Sequence, residues 1–244
     1  MRKIYSAGYF ESTKDGSLLS AEEIIPLVRQ LREVKTVVDV GCGLGAWLYV
    51  WHQAGADILG LDGSWVKPDK LCIPPDKFMA LDLEQPFDIG RKFDLVMSLE
   101  VAEHLKPSNA GGFVRSLVKL GSLVLFSAAV PGQGGKYHRN EQWPDYWADL
   151  FAKENFLPLD YLRPKVWQQD KIEWWYRQNI IIYAQRDAIL GNAVLEQALA
   201  ETRRDQLSLV HPQMAGSIAA RYSGQSSSFR QVLSVIKGYL RGRI

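Results

Sequence analysis

The sequence predicts an α/β fold with a doubly wound parallel sheet. Short apolar runs rich in β-branched residues alternate with segments of helical periodicity. Four of the runs end in an acidic residue, which gives the set Asp39, Asp62, Asp82 and Glu100. Because strands that alternate with helices form a parallel sheet covered on both faces, these strand ends should meet at one edge, where such sheets bind ligands.

The elements follow in chain order from the same patterns. Ser20-Ala21-Glu22-Glu23 has the spacing of a capping box and predicts the start of the first helix, although Pro26 removes one hydrogen-bond donor from it. Strands are predicted at 36–40, 57–62, 78–81, 93–99, 122–130, 157–163 and 179–185. Helices between them are predicted at 44–54, 108–119 and 144–154.

Length and composition indicate one main domain. The chain has 244 residues, of which 47% are hydrophobic and eight are Trp, enough for a substantial core. The net charge of +2 gives no general attraction to nucleic acid. Cys42 and Cys72 are too few for a disulfide framework, and the N-terminus lacks the pattern of a signal peptide, so we expect a cytoplasmic protein. No apolar run is long enough to span a bilayer.

The turn that follows the first strand predicts a site for a nucleoside-containing cofactor. Asp39-Val40-Gly41-Cys42-Gly43-Leu44-Gly45 is dense in glycine, which lets the backbone pass close to a ligand. Asp62 ends the second strand, 21 residues after Gly41. A carboxylate at that place can accept both hydroxyls of a ribose.

Two cofactors fit this spacing. Gly41, Gly43 and Ala46 satisfy the Gly-x-Gly-x-x-Gly/Ala pattern of dinucleotide sites. A dinucleotide places its pyrophosphate at the helix N-terminus, where the extra carboxylate of Asp39 would repel it. S-adenosyl-L-methionine (SAM) has no phosphate, and its ammonium and sulfonium groups are attracted by an acid. SAM is therefore favoured, with a dinucleotide or a turn without a ligand as the alternatives.

Four segments together resemble the class I SAM-dependent methyltransferase family: Asp39–Gly45, Asp62, Asp82-Leu83 and Phe93–Leu105. The resemblance covers roughly residues 20–186. It implies a Rossmann-like sheet of seven strands, the last of which runs antiparallel. It also implies a SAM-dependent enzyme that releases S-adenosylhomocysteine (SAH).

The resemblance assigns roles to individual positions. Gly41, Gly43 and Gly45 would pass under the methionine part of SAM. Asp62 would hold the ribose and Asp82 the adenine amino group. The mouth through which the methyl group is transferred would be lined by Ser98, Leu99 and Glu100. Further cofactor-binding positions are expected at Asp39, Cys42, Trp47, Gly63, Ser64 and Leu83.

The segment Ala128–Trp143 resembles a mostly uncharacterised subgroup of bacterial methyltransferases and favours a small-molecule or glycan acceptor. An oxygen nucleophile needs a base with a pKa near neutrality, which favours histidine. We predict His138 as the general base and Glu141 as the group that orients it or holds a substrate hydroxyl. His104 is the alternative base. In the structural alternative, His138 and Glu141 only order their loop.

For two further clusters of residues, a purely structural role is favoured over a functional one. Glu100, Glu103 and His104 would share one face of a helix and could meet a divalent cation, as the similar motif does in some O-methyltransferases of the ubiquinone pathway and in small-RNA methyltransferases. In relatives without a metal, the histidine of this motif packs beneath the cofactor turn, and we predict no metal. The aromatic residues Trp167, Trp174, Trp175 and Tyr176 are expected in the core, with a sugar-stacking surface as the alternative.

The C-terminal part is predicted to be separate. A methyltransferase domain at 1–186 would be followed by a helical extension at 187–244. The basic amphipathic end, 229–244, is expected to dock on the body or on a second copy, with peripheral contact to an anionic membrane surface as the alternative. A nucleic-acid substrate is not expected, because Ser98-Leu99-Glu100-Val101 differs from the Asn/Asp-Pro-Pro-Tyr/Phe motif that holds a flipped base. A non-catalytic SAM-binding scaffold is the second function class.

Overall fold

Seven strands form the sheet of the described chain, and their order creates the crevice of the candidate site. The computed structural model describes the backbone of residues 7–222 and the side chains of residues 16–221. The strands are β1 (Thr36–Val40), β2 (Asp57–Asp62), β3 (Phe78–Ala80), β4 (Leu95–Leu99), β5 (Leu123–Ser127), β6 (Phe156–Leu159) and β7 (Ile181–Gln185). Their order is β3-β2-β1-β4-β5-β7-β6.

The direction of the strands agrees with the prediction. β1 pairs in parallel with β2 and β4, and β2–β3 and β4–β5 are also parallel. Only β7 is reversed, because it pairs antiparallel with both β5 and β6. The predicted seven-stranded, mostly parallel sheet is therefore confirmed. The strand order turns back between β1 and β4, so the carboxyl ends of these two strands flank the crevice where such sheets bind ligands.

Nine α-helices lie within the described residues. They are α1 (Ala7–Val28), α2 (Ala46–Gln53), α3 (Ala110–Leu120), α4 (Pro144–Lys153), α5 (Arg163–Val166), α6 (Trp174–Asn179), α7 (Arg186–Ile189), α8 (Ala193–Glu201) and α9 (Pro212–Tyr222). Successive side chains of a strand point to opposite faces of the sheet. Val37 accordingly lies in the apolar cluster with α1, α2 and α8, and Val38 lies in the cluster with α3 and α4.

The predicted capping box at Ser20 is wrong, because α1 begins 13 residues earlier, at Ala7. A serine inside a helix has a carbonyl four residues before it, and Ser20 Oγ donates to the carbonyl oxygen of Gly16 at 2.7 Å. The same hydroxyl accepts the backbone N–H of Glu173 at 3.0 Å. Ser20 thus joins α1 to the start of α6 instead of capping a helix.

The described residues belong to two compact units, the first ending at Leu209 and the second beginning at Val210. The division into a methyltransferase domain at 1–186 and an extension at 187–244 stays a prediction. The first part of the helical extension predicted for 187–244 is not one continuous helix. It consists of α7, α8 and a single 3₁₀ turn at Arg204–Gln206. Asn192 caps α8 by accepting the backbone N–H groups of Val194 and Leu195. The basic end at 229–244 lies outside the described residues.

Among the described helices, none is both long and apolar enough to cross a bilayer. The cytoplasmic location remains a prediction.

Candidate functional site

A cavity of about 340 Å³ opens at the carboxyl ends of β1 and β4. Nine of the predicted site residues line it, namely Asp39, Gly41, Cys42, Gly43, Trp47, Leu99, Glu100, His104 and His138. The fold therefore brings the glycine turn, the end of β4 and the predicted base to one cavity. The wall also contains residues to which we had assigned no cofactor or catalytic role, including Ser17, Glu103, Gln133, Gly135, Trp174 and Tyr176.

The glycine turn needs its glycines for two reasons. Gly41, Gly43 and Gly45 have φ values of 89°, 55° and 82°, in the left-handed region that side chains disfavour. A Cβ added at Gly41 would also collide with the side chain of Val101. The turn is tied to β2, because the N–H groups of Gly41 and Cys42 both donate to the carbonyl oxygen of Leu61. This arrangement exposes backbone at the cavity without side chains over it.

Two buried carboxyl groups flank the turn. Burial, with the charge of Asp62 as a second cause, raises the pKa of Asp39 to about 7. Burial also raises the pKa of Asp62 to about 6, although its oxygens accept the N–H groups of Gly43 at 2.8 Å and Gly63 at 2.6 Å. Burial and both acids raise the pKa of the Cys42 thiol well above its ordinary value. A cation near Asp39 would stabilise its ionised form.

The other predicted cofactor residues do not line this cavity. They are Gly45, Asp62, Gly63, Ser64, Asp82, Leu83 and Ser98. Ser98 is fully buried and its Oγ donates to the carbonyl oxygen of Val40 at 2.9 Å, so its hydroxyl joins β4 to β1 instead of facing the methyl-transfer mouth. Leu83 packs in the apolar cluster with α3 and α4. Asp82 is exposed and caps the turn after it by accepting the N–H of Glu84 at 3.1 Å.

Glu100 is held by two amide side chains that the sequence did not single out. Its Oε2 accepts from Nε2 of Gln133 at 2.9 Å, and its Oε1 accepts from Nδ2 of Asn179 at 3.1 Å. Asn179 also donates to Oε1 of Gln133 at 2.9 Å. Glu100 itself has a φ of 56°, which is uncommon for a residue with a side chain. Burial raises its pKa in spite of these hydrogen bonds.

His138 and Glu141 are in contact within the loop after β5. Nδ1 of His138 lies 2.8 Å from Oε1 of Glu141. Glu141 does not line the cavity, but its two oxygens also accept the N–H groups of Gly132 at 2.9 Å and Gly134 at 2.8 Å. The carboxylate therefore orders the glycine-rich loop and the imidazole together. A Cβ added at Gly135 would collide with the His138 ring.

His104 lies against His138 in the same wall. The two ring centroids are 4.9 Å apart and the rings are nearly perpendicular. Burial, followed by the charge of His138, lowers the pKa of His104 to about 4. A base with so low a pKa is mostly unprotonated at neutral pH but binds a proton weakly, which makes His104 a poor candidate for proton transfer.

The helical argument for a cation at Glu100, Glu103 and His104 is wrong. Only Ala102–His104 forms a short 3₁₀ turn, and Glu100 before it has left-handed backbone angles. The three side chains therefore do not share a helical face. Glu103, His104 and His138 come together instead, with ligand atoms within 4.8 Å of one another. Burial and the charge of Glu100 raise the pKa of Glu103 well above its ordinary value.

An aromatic wall closes the cavity on the side of α6. Trp174, Trp175 and Tyr176 line it, so these residues are not only the core that the sequence favoured. The hydroxyl of Tyr176 lies 3.2 Å from Oγ of Ser17 and accepts from Nε1 of Trp47 at 3.4 Å. Burial raises the pKa of Tyr176 to about 12. These contacts hold α1, α2 and α6 around the cavity.

Comparison with known proteins places this site in a family. The family described as "Methyltransferase domain" matches residues 17–179. The chain belongs to this methyltransferase family. The match includes the glycine turn, both buried aspartates, Glu100, His104 and His138, and it confirms the predicted class of SAM-dependent methyltransferases. Because the chain belongs to this methyltransferase family, SAM is the cofactor of the glycine turn and the dinucleotide alternative is dropped.

Individual relatives agree with this assignment. Chloroplastic tocopherol O-methyltransferase of Arabidopsis thaliana is 30% identical over 141 residues, which are 52% of this chain and 40% of that protein. The chain thus spans less than half of that relative's length. Ribosomal RNA large subunit methyltransferase E of Wolbachia pipientis wMel is 25% identical over 185 residues, 68% of this chain and 90% of the relative.

A solved structure supports the fold of this methyltransferase. It is SAM-bound CalS10, an amino pentose methyltransferase from Micromonospora echinaspora. The two proteins superpose with a TM-score of 0.55 at 15% identity, over 76% of this chain and 99% of the other. At this identity the likeness establishes the fold alone.

Proposed function

We propose that this methyltransferase transfers the methyl group of SAM to a hydroxyl of a small molecule or a sugar, free or within a glycan. The observation that carries the proposal is the position of the His138–Glu141 pair. The imidazole of His138, which Glu141 contacts at 2.8 Å, lines the same cavity as the glycine turn. A donor site and a basic group therefore share one cavity, as an in-line transfer requires.

The donor half of the cavity suits SAM. Gly41 and Gly43 line the cavity with backbone, and Asp39 offers a buried carboxyl group beside them. Asp39 would bind the methionine ammonium, and the Asp62 carboxylate would accept hydrogen bonds from the ribose hydroxyls. SAM supplies a methyl carbon that is already activated by its positive sulfur.

The acceptor half suits a hydroxyl. With the Nδ1–H of His138 donated to Glu141, the Nε2 lone pair is available to take the proton of the acceptor as its oxygen attacks. The new O–C bond forms while the C–S bond breaks, and the sulfur keeps the electron pair, which gives SAH. Trp174 and Trp175 supply apolar surface that excludes water and can pack on the C–H face of a sugar.

The experiment combines cofactor binding with turnover. SAM and SAH are titrated by calorimetry, and methylated products are measured by mass spectrometry with neutral sugars, phenols and amines as acceptors. We expect binding of both cofactors, O-methyl products, and loss of turnover in His138→Ala with SAH affinity retained. The matched control is His52→Ala, which changes an exposed histidine of α2.

Two results would contradict the proposal. SAH binding without turnover on any hydroxyl acceptor would favour the non-catalytic scaffold. Turnover that is confined to amines would replace oxygen by nitrogen as the nucleophile.

A further inference from the structure

A series of hydrogen-bonded side chains lies along the cavity wall and ends at Ser17. The Ser17 side chain, on α1, lines the cavity. Its Oγ lies 3.2 Å from the hydroxyl of Tyr176, which in turn lies 3.4 Å from Nε1 of Trp47. We propose that Ser17 is a cofactor-binding residue, which donates a hydrogen bond to the carboxylate of the methionine part of SAM. The inference goes beyond the proposed function, because it concerns the methyl donor and holds for any acceptor.

The direction of these hydrogen bonds follows from what each group can do. An indole N–H only donates, so the Tyr176 oxygen is the acceptor for Trp47. Tyr176 also has a side-chain hydrogen bond with Trp175, whose indole is again a donor only. Because both lone pairs of the Tyr176 oxygen are used, Tyr176 gives its own hydrogen to Ser17. The Ser17 oxygen therefore accepts, and no described residue takes the Ser17 hydrogen, which is left for a ligand.

Ser17 and Tyr176 are both held in place for this role. Burial raises the pKa of Tyr176 to about 12, so its hydroxyl keeps its hydrogen at neutral pH. On α1, Gly16 lies so close to Glu173 that an added Cβ would collide with the glutamate side chain. One turn later, Ser20 accepts the backbone N–H of Glu173. Ser17 thus lies between two contacts that fix α1 against the start of α6.

The carboxylate of SAM needs such a donor. Among the described residues that line the cavity there is neither a lysine nor an arginine. Backbone N–H groups of the glycine turn are already bonded to oxygens of the protein at Gly41, Cys42, Gly43 and Gly45. A carboxylate that leaves water without a partner is costly, and a hydrogen bond to a charged group is one of the strong ones. A neutral hydroxyl that has a hydrogen to give meets this need.

The position of the series suits the methionine part of SAM. Trp47 is the second residue of α2, which begins directly after the glycine turn. Asp39, at the other end of that turn, is the proposed partner of the ammonium group. The ammonium and the carboxylate of SAM are attached to the same carbon atom, so both lie near this turn. Hydrogen bonds that all point one way also polarise one another, which makes Ser17 a better donor.

The test compares two ligands that differ only in the carboxylate. SAH and decarboxylated SAH, which keeps the ammonium, are titrated into the full chain by calorimetry. We expect Ser17→Ala to weaken SAH binding by about tenfold or more, because a hydrogen bond to a charged group is lost. The affinity for decarboxylated SAH should stay within about twofold. Ser17→Thr keeps a hydroxyl and should retain most of the SAH affinity. Tyr176→Phe should weaken SAH binding less than Ser17→Ala does.

The matched controls are Ser108→Ala and Tyr49→Phe, which change exposed residues and should affect neither ligand. Binding of decarboxylated SAH shows that each variant is folded. The inference is overturned if Ser17→Ala binds SAH as the unaltered chain does, or if it loses affinity for both ligands equally, as a structural role would cause. Equal binding of the two ligands by the unaltered chain also overturns it. Neither ligand is a methyl acceptor, so a failed methylation assay counts against the proposed function alone.

Discussion

Oε2 of Glu100 lies 2.9 Å from Nε2 of Gln133, which joins the end of β4 to the glycine-rich loop after β5. Asn179, at the end of α6, completes the group by bonding to both residues. Three segments distant in sequence thus meet at one buried carboxyl group in the cavity wall. This group fixes the position of the loop that carries His138.

Replacement of Asn179 should loosen this junction. Asn179→Leu removes one buried hydrogen bond from Glu100 and one from Gln133, at a cost of about 1–3 kcal/mol in the free energy of unfolding. Because the loop is then less well placed, turnover should fall more than SAH affinity does. Urea denaturation, calorimetry and the methylation assay measure the three quantities. Gln197→Leu on the exposed face of α8 should change none of them, and an equal result for both variants would contradict the role of the junction.

Gly41 should tolerate no side chain. Gly41→Ala combines a φ of 89° with a collision against Val101, so we expect a loss of at least about 1–3 kcal/mol in stability and loss of SAH binding. Gly55→Ala is the matched control, because Gly55 has a φ of 87° with open space around its Cβ. The difference between the two variants in urea denaturation isolates the collision. Equal losses would show that backbone strain alone requires glycine at position 41.

Asp39 should make the protein less stable as the pH rises. Its pKa is about 7 in the folded state against an ordinary value of 3.8, so the folded state holds this proton more tightly. The stabilisation from this proton is complete below pH 3.8 and is lost as the pH rises to about 7. Over this range the free energy of unfolding should fall by at most about 1.4 kcal/mol per pH unit. Asp39→Asn should flatten this part of the stability curve, measured by urea denaturation across the range. An unchanged slope in the variant would refute the assignment.

The same carboxyl group should make SAM binding dependent on pH. Ionised Asp39 attracts the positive groups of SAM, so affinity should rise as the pH passes through about 7. Calorimetry measures the SAM affinity of the unaltered chain and of Asp39→Asn at each pH. The ratio of the two affinities removes the contribution of protons that SAM itself gains or loses. If both proteins show the same pH dependence, Asp39 does not contact the cofactor.

Gly135 should be required for turnover but not for cofactor binding. A Cβ there collides with the ring of His138, so Gly135→Ala should displace the imidazole and lower turnover by about tenfold or more. SAH affinity should stay within about twofold, because Gly135 lies on the loop after β5 and not in the glycine turn between β1 and α2. Gly216→Ala, whose Cβ would meet open space, is the control. Full activity of Gly135→Ala would show that turnover does not depend on this position of the His138 ring.

Several parts of the site follow directly from local sequence. The β-branched run before Asp39 and the three glycines after it fix a strand and a turn that no other residue types form as easily. Glu141 follows His138 at a spacing of three residues, close enough for a loop to bring them into contact. By contrast, the helical spacing assumed for Glu100 and His104 was wrong, because the chain turns sharply at Glu100 after leaving β4.

The sequence by itself determined the alternation of strands and helices, the glycine turn and the methyltransferase family, because each depends on residue types at short spacing. Only the tertiary structure decided which distant side chains meet. Asn179 and Gln133 reach Glu100, and His138 reaches Glu103, through the packing of β4, β5 and β7 side by side. Those contacts depend on the order and direction of strands in the sheet, for which a local pattern of residues carries no information.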